Sequence, residues 1–141
     1  IFASSEEPPE NIQLKQRNVF SVLVNAQNDL LVRGNRTDIK ELRLKAKEFI
    51  TNPNQVDTLS ESPNTAIISL KNDRGTNYRT YLEVYNELKA AYNELWDEEA
   101  QKMFGVHYSD DLPKEQKDKI KDKIPFVLSE AEPTAFGEEA N

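Results

Sequence analysis

The stretch TAIISLKNDRGTNYRTYLEVYNELKAAYNELW, residues 65–96, decides the fold of this chain. It opens with a short apolar run, Thr65–Leu70, between polar segments, which is typical of a buried central strand. Lys71–Asn77 then predicts a turn, and an apolar stripe with helical spacing predicts a helix over residues 77–104, about 42 Å long. This length favours a bend or break near Asn93, or else a protruding end.

Upstream of this stretch, the pattern predicts a β-hairpin and a first helix. Val19–Val24 is β-branched and aromatic with alternating apolar residues, and Leu30–Val32 follows after a short polar loop. Ile39–Ile50 carries its apolar residues on one helical face. Pro53 ends that helix because proline lacks a backbone N–H donor. Residues 53–64 are polar and predict a surface loop.

Downstream, Gly105 predicts the end of the long helix. Lys114–Ile124 has only two isoleucines as apolar anchors and predicts a peripheral, weakly packed helix. Phe126–Leu128 predicts a last short strand. The sequence therefore predicts an α+β fold with a small sheet in the order β-β-α-β-α-α-β, two helices on one face, and an extra helical insertion near residues 93–124. The second face of the sheet is then either polar or covered by a partner.

The two ends of the chain predict less order than its middle. Residues 1–17 are charged, contain Pro8 and Pro9, and have no apolar period, which indicates a flexible leader, the alternative being an extended arm docked on a neighbour. We expect one folded domain over residues 18–133 and an acidic tail over residues 134–141. The chain begins at Ile1 and its single methionine is internal, so we expect a processed product or an excised fragment.

Composition excludes several classes of function. Lys and Arg total 18 against 25 Asp and Glu, which gives a formal net charge of −7. This balance argues against binding to nucleic acid and against non-specific adhesion to anionic lipid, since both need clustered cations. The absence of cysteine excludes a disulfide framework, a thiolate zinc site, an iron–sulfur cluster and a cysteine nucleophile.

The sequence offers no catalytic constellation. It has no glycine-rich phosphate loop and no Gly-x-Ser-x-Gly motif. Its single histidine, His107, is interpreted as a surface residue in preference to a lone general base. The acidic runs Asp97–Glu99 and Asp110–Asp111 lie in polar surroundings, which favours a solvated face over a buried acid–base pair. We therefore expect no enzyme activity, no cofactor and no metal.

The most informative polar residues lie between the central strand and the long helix. Asp73 can accept hydrogen bonds within the loop, Arg74 offers a bidentate fork to a carboxylate, and Tyr78 can present its ring and hydroxyl. These residues serve either loop stabilisation or contact with a partner. Together with Phe126, Val127 and Leu128 on the last strand, they are the candidate partner-binding residues.

These patterns resemble the periplasmic domain of the ExbD/TolR family, and most closely the ExbD proteins of the Bacteroidetes type. The resemblance covers residues 18–133. It rests on the strands and helix described above, on the Asn72–Tyr78 phrase (NDRGTNY), on the Asn93–Ala100 phrase (NELWDEEA) and on the Ser129–Pro133 phrase (SEAEP). The residues intervening near Asn93–Ile124 depart from shorter members of the family, in which the second helix leads almost directly to the last strand.

The resemblance implies a subunit that is anchored to the bacterial inner membrane by one helix and faces the periplasm. It implies an ExbB-like channel protein and a TonB-like protein as partners, a homodimer, and use of the proton-motive force to power outer-membrane transport. The missing anchor would precede the leader. The TolR branch implies an alternative, a peptidoglycan-binding module for envelope integrity, in which Lys40, Arg43 and Lys47 would contact the anionic cell wall. From the sequence alone, the simplest interpretation of these cations is a solvated basic face.

Overall fold

The computed structural model describes residues 15–130. The predicted leader up to residue 14 and the predicted acidic tail over residues 134–141 lie outside the described residues. The predicted α+β class is confirmed. In chain order the elements are β1 (Val19–Val24), β2 (Leu30–Val32), β3 (Asn35–Arg36), α1 (Ile39–Thr51), β4 (Ile67–Asn72), α2 (Tyr78–Phe104), α3 (Lys114–Lys123) and β5 (Leu128–Glu130).

The strands form one mixed five-stranded sheet in the order β3-β2-β1-β4-β5. β1 pairs antiparallel with β2 in the predicted hairpin and parallel with β4 over its whole length, from Val19 opposite Ile67 to Val24 opposite Asn72. β5 adds to the far side of β4 in parallel, with Leu128 opposite Ile68. The strand at Thr65–Leu70 was therefore predicted two residues early, and β3 was not predicted.

Alternation along the strands directs one set of side chains under the helices. Phe20, Val22 and Val24 are buried, whereas Ser21 between them is exposed. α1 and α2 pack against each other and contribute the other half of the core. The largest fully buried side chains are Tyr92, Phe49, Leu42, Ile50, Ile68, Leu70, Leu88, Ile120, Val22, Val24, Val84 and Asn52.

The helices begin and end at residues suited to those positions. The Asp38 carboxylate accepts from the Lys40 N–H at 2.9 Å, and the Asn77 side chain caps α2 in the same way by accepting from Arg79 N–H at 2.8 Å. Asn52 and Gly105 end α1 and α2 in the left-handed region, with φ of 42° and 70°. α2 runs unbroken through residue 93 over 27 residues.

The C-terminal half of α2 does not protrude, because residues 105–127 fold back over it. The indole N–H of Trp96 donates to the Ile124 carbonyl at 2.8 Å, and Ile120 of α3 is fully buried. Ile120 is the one buried residue of α3, which agrees with the prediction of a peripheral helix at Lys114–Ile124. Ile120 and, just after the helix, Ile124 are both buried and belong to the main core.

The last strand begins two residues later than predicted. The Val127 carbonyl accepts from the Ile68 N–H at 3.0 Å, but the ladder proper starts at Leu128. Phe126 precedes the strand and turns its ring towards α2, where it meets Tyr92 edge-on with ring centroids 4.9 Å apart. An aromatic residue beside a strand thus packs into the helical layer rather than extending the sheet.

Candidate functional site

One edge of the sheet is open to a further strand. β5 pairs with β4 on one side only, and no strand within residues 15–130 pairs with its outer side. Such an edge presents unpaired backbone N–H and C=O groups, which a second extended chain can bind. The opposite edge, β3, has two residues and carries Arg36, whose guanidinium pairs with Asp29 at 3.0 Å.

The loop before α2 is tied to the β1–β2 hairpin. The Asp73 N–H donates to the Val24 carbonyl at 3.0 Å, and the Asp73 carbonyl accepts from the Thr76 N–H at 3.2 Å. The Thr76 hydroxyl donates to the carbonyls of Val24 and Asn25, both at 3.1 Å. The Asn28 side chain accepts from the Asn77 N–H at 2.8 Å. Asp73 therefore stabilises the loop through its backbone, while the Arg74 side chain is exposed.

Tyr78 lies at the start of α2 with its side chain 70% exposed. Its ring stacks on that of Tyr81 at a centroid distance of 6.4 Å, and the Tyr81 hydroxyl donates to the Glu130 carboxylate at the end of β5. Burial and this carboxylate raise the pKa of Tyr81 above its ordinary value, so its hydroxyl keeps the proton it donates. Leu82, one turn after Tyr78, is 38% exposed. This arrangement forms an apolar shelf beside the open edge.

The other three candidate residues differ in their surroundings. Phe126 is half-buried in the aromatic cluster on α2, and Leu128 is half-buried opposite Ile68. Val127 is 36% exposed. Of these three, Val127 offers the most side-chain surface to a partner.

The six candidate residues fall into two groups. Asp73, Arg74 and Tyr78 lie at the carboxyl end of β4, and the 126–128 group lies at the amino end of β5. Five residue steps lead from Ile68 on β4 to Asp73 just after its end, which is roughly 16 Å along a strand. Between the groups runs the edge of β5. Sequence reasoning missed Tyr81 and Glu130, which join them; the helical spacing of Tyr81 from Tyr78 is the only signal in the sequence.

A network of ion pairs joins α1 to α2 on the far side of the helical layer. Arg43 donates to Glu87 at 3.0 Å and to Glu94 at 2.7 Å, and these bonds, with the charge of Glu87, raise its pKa. Lys47 bonds Glu94 at 3.0 Å and Glu98 at 2.7 Å. Arg43, Lys47, Glu87 and Glu94 line an open groove, and within it these four side chains are paired with one another.

His107 is part of a turn that follows α2. Its Nδ1 lies 3.1 Å from Asp97 Oδ1, which also accepts from the Tyr108 N–H at 2.8 Å. The backbone bond from Tyr108 and the contact with His107 hold the pKa of Asp97 below its usual range. The histidine side chain is 81% exposed, so it braces a turn at the surface.

Other kinds of site have little support in the described part of the chain. Residues 15–130 contain no group of three or more His, Asp or Glu side chains that could hold a metal ion. None of their helices combines the length and the apolar character needed to cross a bilayer.

A comparison with protein-family models matches the chain to a known family. The model described as "Biopolymer transport protein ExbD/TolR" matches residues 3–95, which include the sheet up to β4 and the first half of α2. The second half of α2, α3 and β5 lie beyond the matched range. No curated protein matches the chain.

Proposed function

Because the chain belongs to the ExbD/TolR family of biopolymer transport proteins, we propose that it is the periplasmic domain of an ExbD-like accessory subunit. Proteins of this family are anchored in the inner membrane, have periplasmic domains and serve energy transduction for transport without being enzymes. In this proposal the subunit works with an ExbB-like channel protein and a TonB-like protein, as a homodimer, to deliver the proton-motive force to outer-membrane transport.

The observation that carries the proposal is the open edge of β5 beside the exposed ring of Tyr78. A subunit that transmits force must bind a partner firmly without chemistry, and strand addition at an edge supplies backbone hydrogen bonds along the whole contact. Val127, Tyr78 and Leu82 add apolar contacts on the side of the edge.

The same edge supports the proposal of a homodimer. A two-fold arrangement would place β5 of one copy against β5 of the other, because an isologous interface uses one patch twice. A homodimer and a TonB-like partner would then compete for the edge or occupy it in turn. The mass of the domain in solution as a function of concentration tests this point.

The peptidoglycan-binding alternative receives less support. Of the three cations it needs, Arg43 and Lys47 are neutralised by Glu87, Glu94 and Glu98. Only Lys40 remains exposed with no ion pair within the described residues. An anionic cell wall would also meet the excess of acidic residues in the chain.

Photocrosslinking in cells tests the proposal with the full-length, membrane-anchored protein. A photoreactive amino acid at Val127 is expected to crosslink to a TonB-like partner or to a second copy of the subunit. Val56 is the matched control, since it is a valine that is 43% exposed on the loop between α1 and β4. Equal crosslinking from both positions, or none from Val127 in cells with an active transport system, contradicts the assignment of this edge.

Complementation of a deletion strain tests the proposed transport function separately from the binding surface. The full-length gene is expected to restore energy-dependent outer-membrane uptake, and His107→Ala is expected to restore it equally, because the proposed function needs no general base. Restoration of envelope integrity without restoration of uptake would instead favour the TolR-like alternative.

A further inference from the structure

A second polar cluster lies about the single tryptophan of the chain, where the Phe126 ring packs against α2. The ammonium nitrogen of Lys89, on α2, lies 4.6 Å from the centroid of the Trp96 ring. The ammonium nitrogen of Lys121, on α3, lies 4.9 Å from the same centroid. Two cations therefore share one aromatic ring, although the chain as a whole carries a net charge of −7.

The two cations lack a carboxylate partner. No Asp or Glu among residues 15–130 lies within ion-pair distance of Lys89 or Lys121, whereas the neighbouring lysines Lys114 and Lys123 each have one. Burial, and then the charge of Lys121, lowers the pKa of Lys89, and the more distant Asp110 offsets this only in part. Two neighbouring cations repel one another, so an anion bound between them would remove an unfavourable interaction.

The hydroxyl of Tyr108, a neutral hydrogen-bond donor in the same cluster, also has no partner among the described residues. The Tyr108 ring lies 5.6 Å from that of Trp96, and the Lys121 nitrogen lies 6.0 Å from the Tyr108 centroid. The Tyr108 hydroxyl is buried and has no hydrogen-bond partner in the described part of the chain. A buried donor without an acceptor destabilises the folded protein, so an acceptor placed here would be favourable.

We propose that Lys89, Lys121 and Tyr108 form a binding site for a phosphate group beside Trp96. The two ammonium groups supply only donors and the Tyr108 hydroxyl can donate as well, and two positive charges match an anion with two negative charges better than a single carboxylate. α3 supports the local attraction, since its ten residues contain five lysines and three acids. The negative charge of the whole chain opposes contact with an anionic membrane, which favours phosphate carried by a soluble molecule.

This site adjoins Phe126, whose ring centroid lies 4.6 Å from the Lys89 nitrogen, but it does not use the unpaired backbone groups of β5. It is built by Lys89 inside the family match and by Trp96, Tyr108 and Lys121 beyond residue 95, where the match ends. Its formation needs α3 to be docked on α2, so a phosphate bound here would link the two. The inference does not rest on the proposed function.

Tryptophan fluorescence tests the site directly, because Trp96 is the only tryptophan. Inorganic phosphate, added at constant ionic strength with chloride as balance, is expected to change Trp96 emission saturably. Lys89→Gln and Lys121→Gln are each expected to weaken binding by about tenfold, the loss of one charge-assisted contact. Tyr108→Phe, which keeps the ring, is expected to weaken it by a smaller factor.

Lys119→Gln is the matched control, since Lys119 is an exposed lysine on the same helix with no ring or ion-pair contact among the described residues. It is expected to bind phosphate as the unmodified protein does. An equal change with chloride alone, or an equal loss in Lys119→Gln, overturns the proposal. The NMR signal of the single indole N–H, measured in the same titrations, decides the outcome if the emission does not change.

Vesicles identify the source of the phosphate. Phosphatidylglycerol vesicles, compared with phosphatidylcholine vesicles, test a lipid headgroup at the same site. Binding to inorganic phosphate but not to vesicles supports a soluble ligand. Lysine-dependent binding to the anionic vesicles alone assigns the site to a headgroup and overturns the soluble source, and binding to neither overturns the site.

Discussion

Different interactions hold two parts of the molecule in place. The first part, residues 15–95, lies within the family match, and the second part, residues 96–130, lies beyond it. The first part buries aliphatic side chains from both the sheet and the helices. The second part has few apolar residues, and α3 is almost entirely charged. The buried apolar residues of the second part are Trp96, Ala100, Ile120 and Ile124.

A short charged segment can therefore be fixed on a larger scaffold if its few contacts converge. They converge on Trp96, whose ring meets those of Tyr92, Tyr108 and Phe126. Polar bonds hold the rim of this contact, since Lys123 pairs with the buried Glu99 at 3.3 Å and Asn64 donates to the Asp122 carbonyl at 2.7 Å. The comparison predicts that the second part depends on one side chain, whereas the first distributes its stability over many.

Replacing Trp96 tests this dependence and has the largest expected effect. Trp96→Ala removes the ring and the hydrogen bond to Ile124, and is expected to lower the free energy of unfolding by about 3–5 kcal/mol. Urea denaturation followed by far-UV circular dichroism measures the loss. Trp96→Phe keeps an aromatic ring and is expected to cost less. A loss below about 1 kcal/mol for Trp96→Ala would contradict the dependence of the second part on this side chain.

Asn52 tests whether the first part is as purely apolar as its core suggests. The Asn52 side chain is fully buried, donates to the carbonyls of Ser60 and Val56 at 2.7 and 3.0 Å, and accepts from the Val56 N–H at 2.8 Å. Asn52→Gly keeps the left-handed backbone but loses these bonds, and is expected to cost about 1–3 kcal/mol. Chemical denaturation measures it.

Asn52→Ala is the companion variant. Alanine also loses the bonds, and it adopts the left-handed backbone at a further cost of about 1–2 kcal/mol. If the glycine variant is as stable as the unmodified protein, the loop between α1 and β4 is held by other contacts, and the polar side chain contributes nothing to the first part.

Much of the first part follows from sequence because local signals and burial agree there. The alternation of Val19–Val24 and the single apolar face of Ile39–Ile50 predict elements that the structure has nearly at those bounds. The polar loop after Pro53 was predicted only as a surface loop. Its order comes from buried Asn52 and Ser60, whose bonding partners are backbone groups that carry no sequence signal.

The second part was less predictable because its contacts are distant in sequence. Helical spacing alone could not show that residues 105–127 cover α2, since Trp96 bonds Ile124 across 28 positions. The same reason hid Glu130 and Tyr81 from the candidate site. Asp73 and Tyr78 became candidate residues because they flank two strongly patterned elements, but their separation from Phe126 depends on the parallel register of β5.

The ion pairs between α1 and α2 have a smaller expected effect. Arg43→Met keeps most of the aliphatic stem but removes the bonds to Glu87 and Glu94, and is expected to cost about 1 kcal/mol or less, since these side chains are 30–41% exposed. Thermal denaturation at low and at molar salt measures the loss, and the difference from the unmodified protein is expected to shrink as salt screens the pairs. A difference that does not depend on salt would assign the loss to packing instead.

The smallest expected effect is a pH dependence confined to the second part. The Asp97 carboxylate, held by the Tyr108 N–H and by His107, has a pKa below its usual range. Its contribution to stability is therefore present above its unfolded pKa of about 3.9 and is lost as the pH falls through the lower folded value. Asp97→Asn keeps an oxygen acceptor for Tyr108 but cannot titrate, so its melting temperature is expected to fall less between pH 5 and pH 2. Hydrogen exchange at the Tyr108 amide locates the change: acid is expected to lower the protection factor of this amide before it lowers those of β1, because only the second part is tied down through this carboxylate. Simultaneous loss of protection in both parts would show that they unfold as one unit, and the distinction between them would then concern composition and not stability.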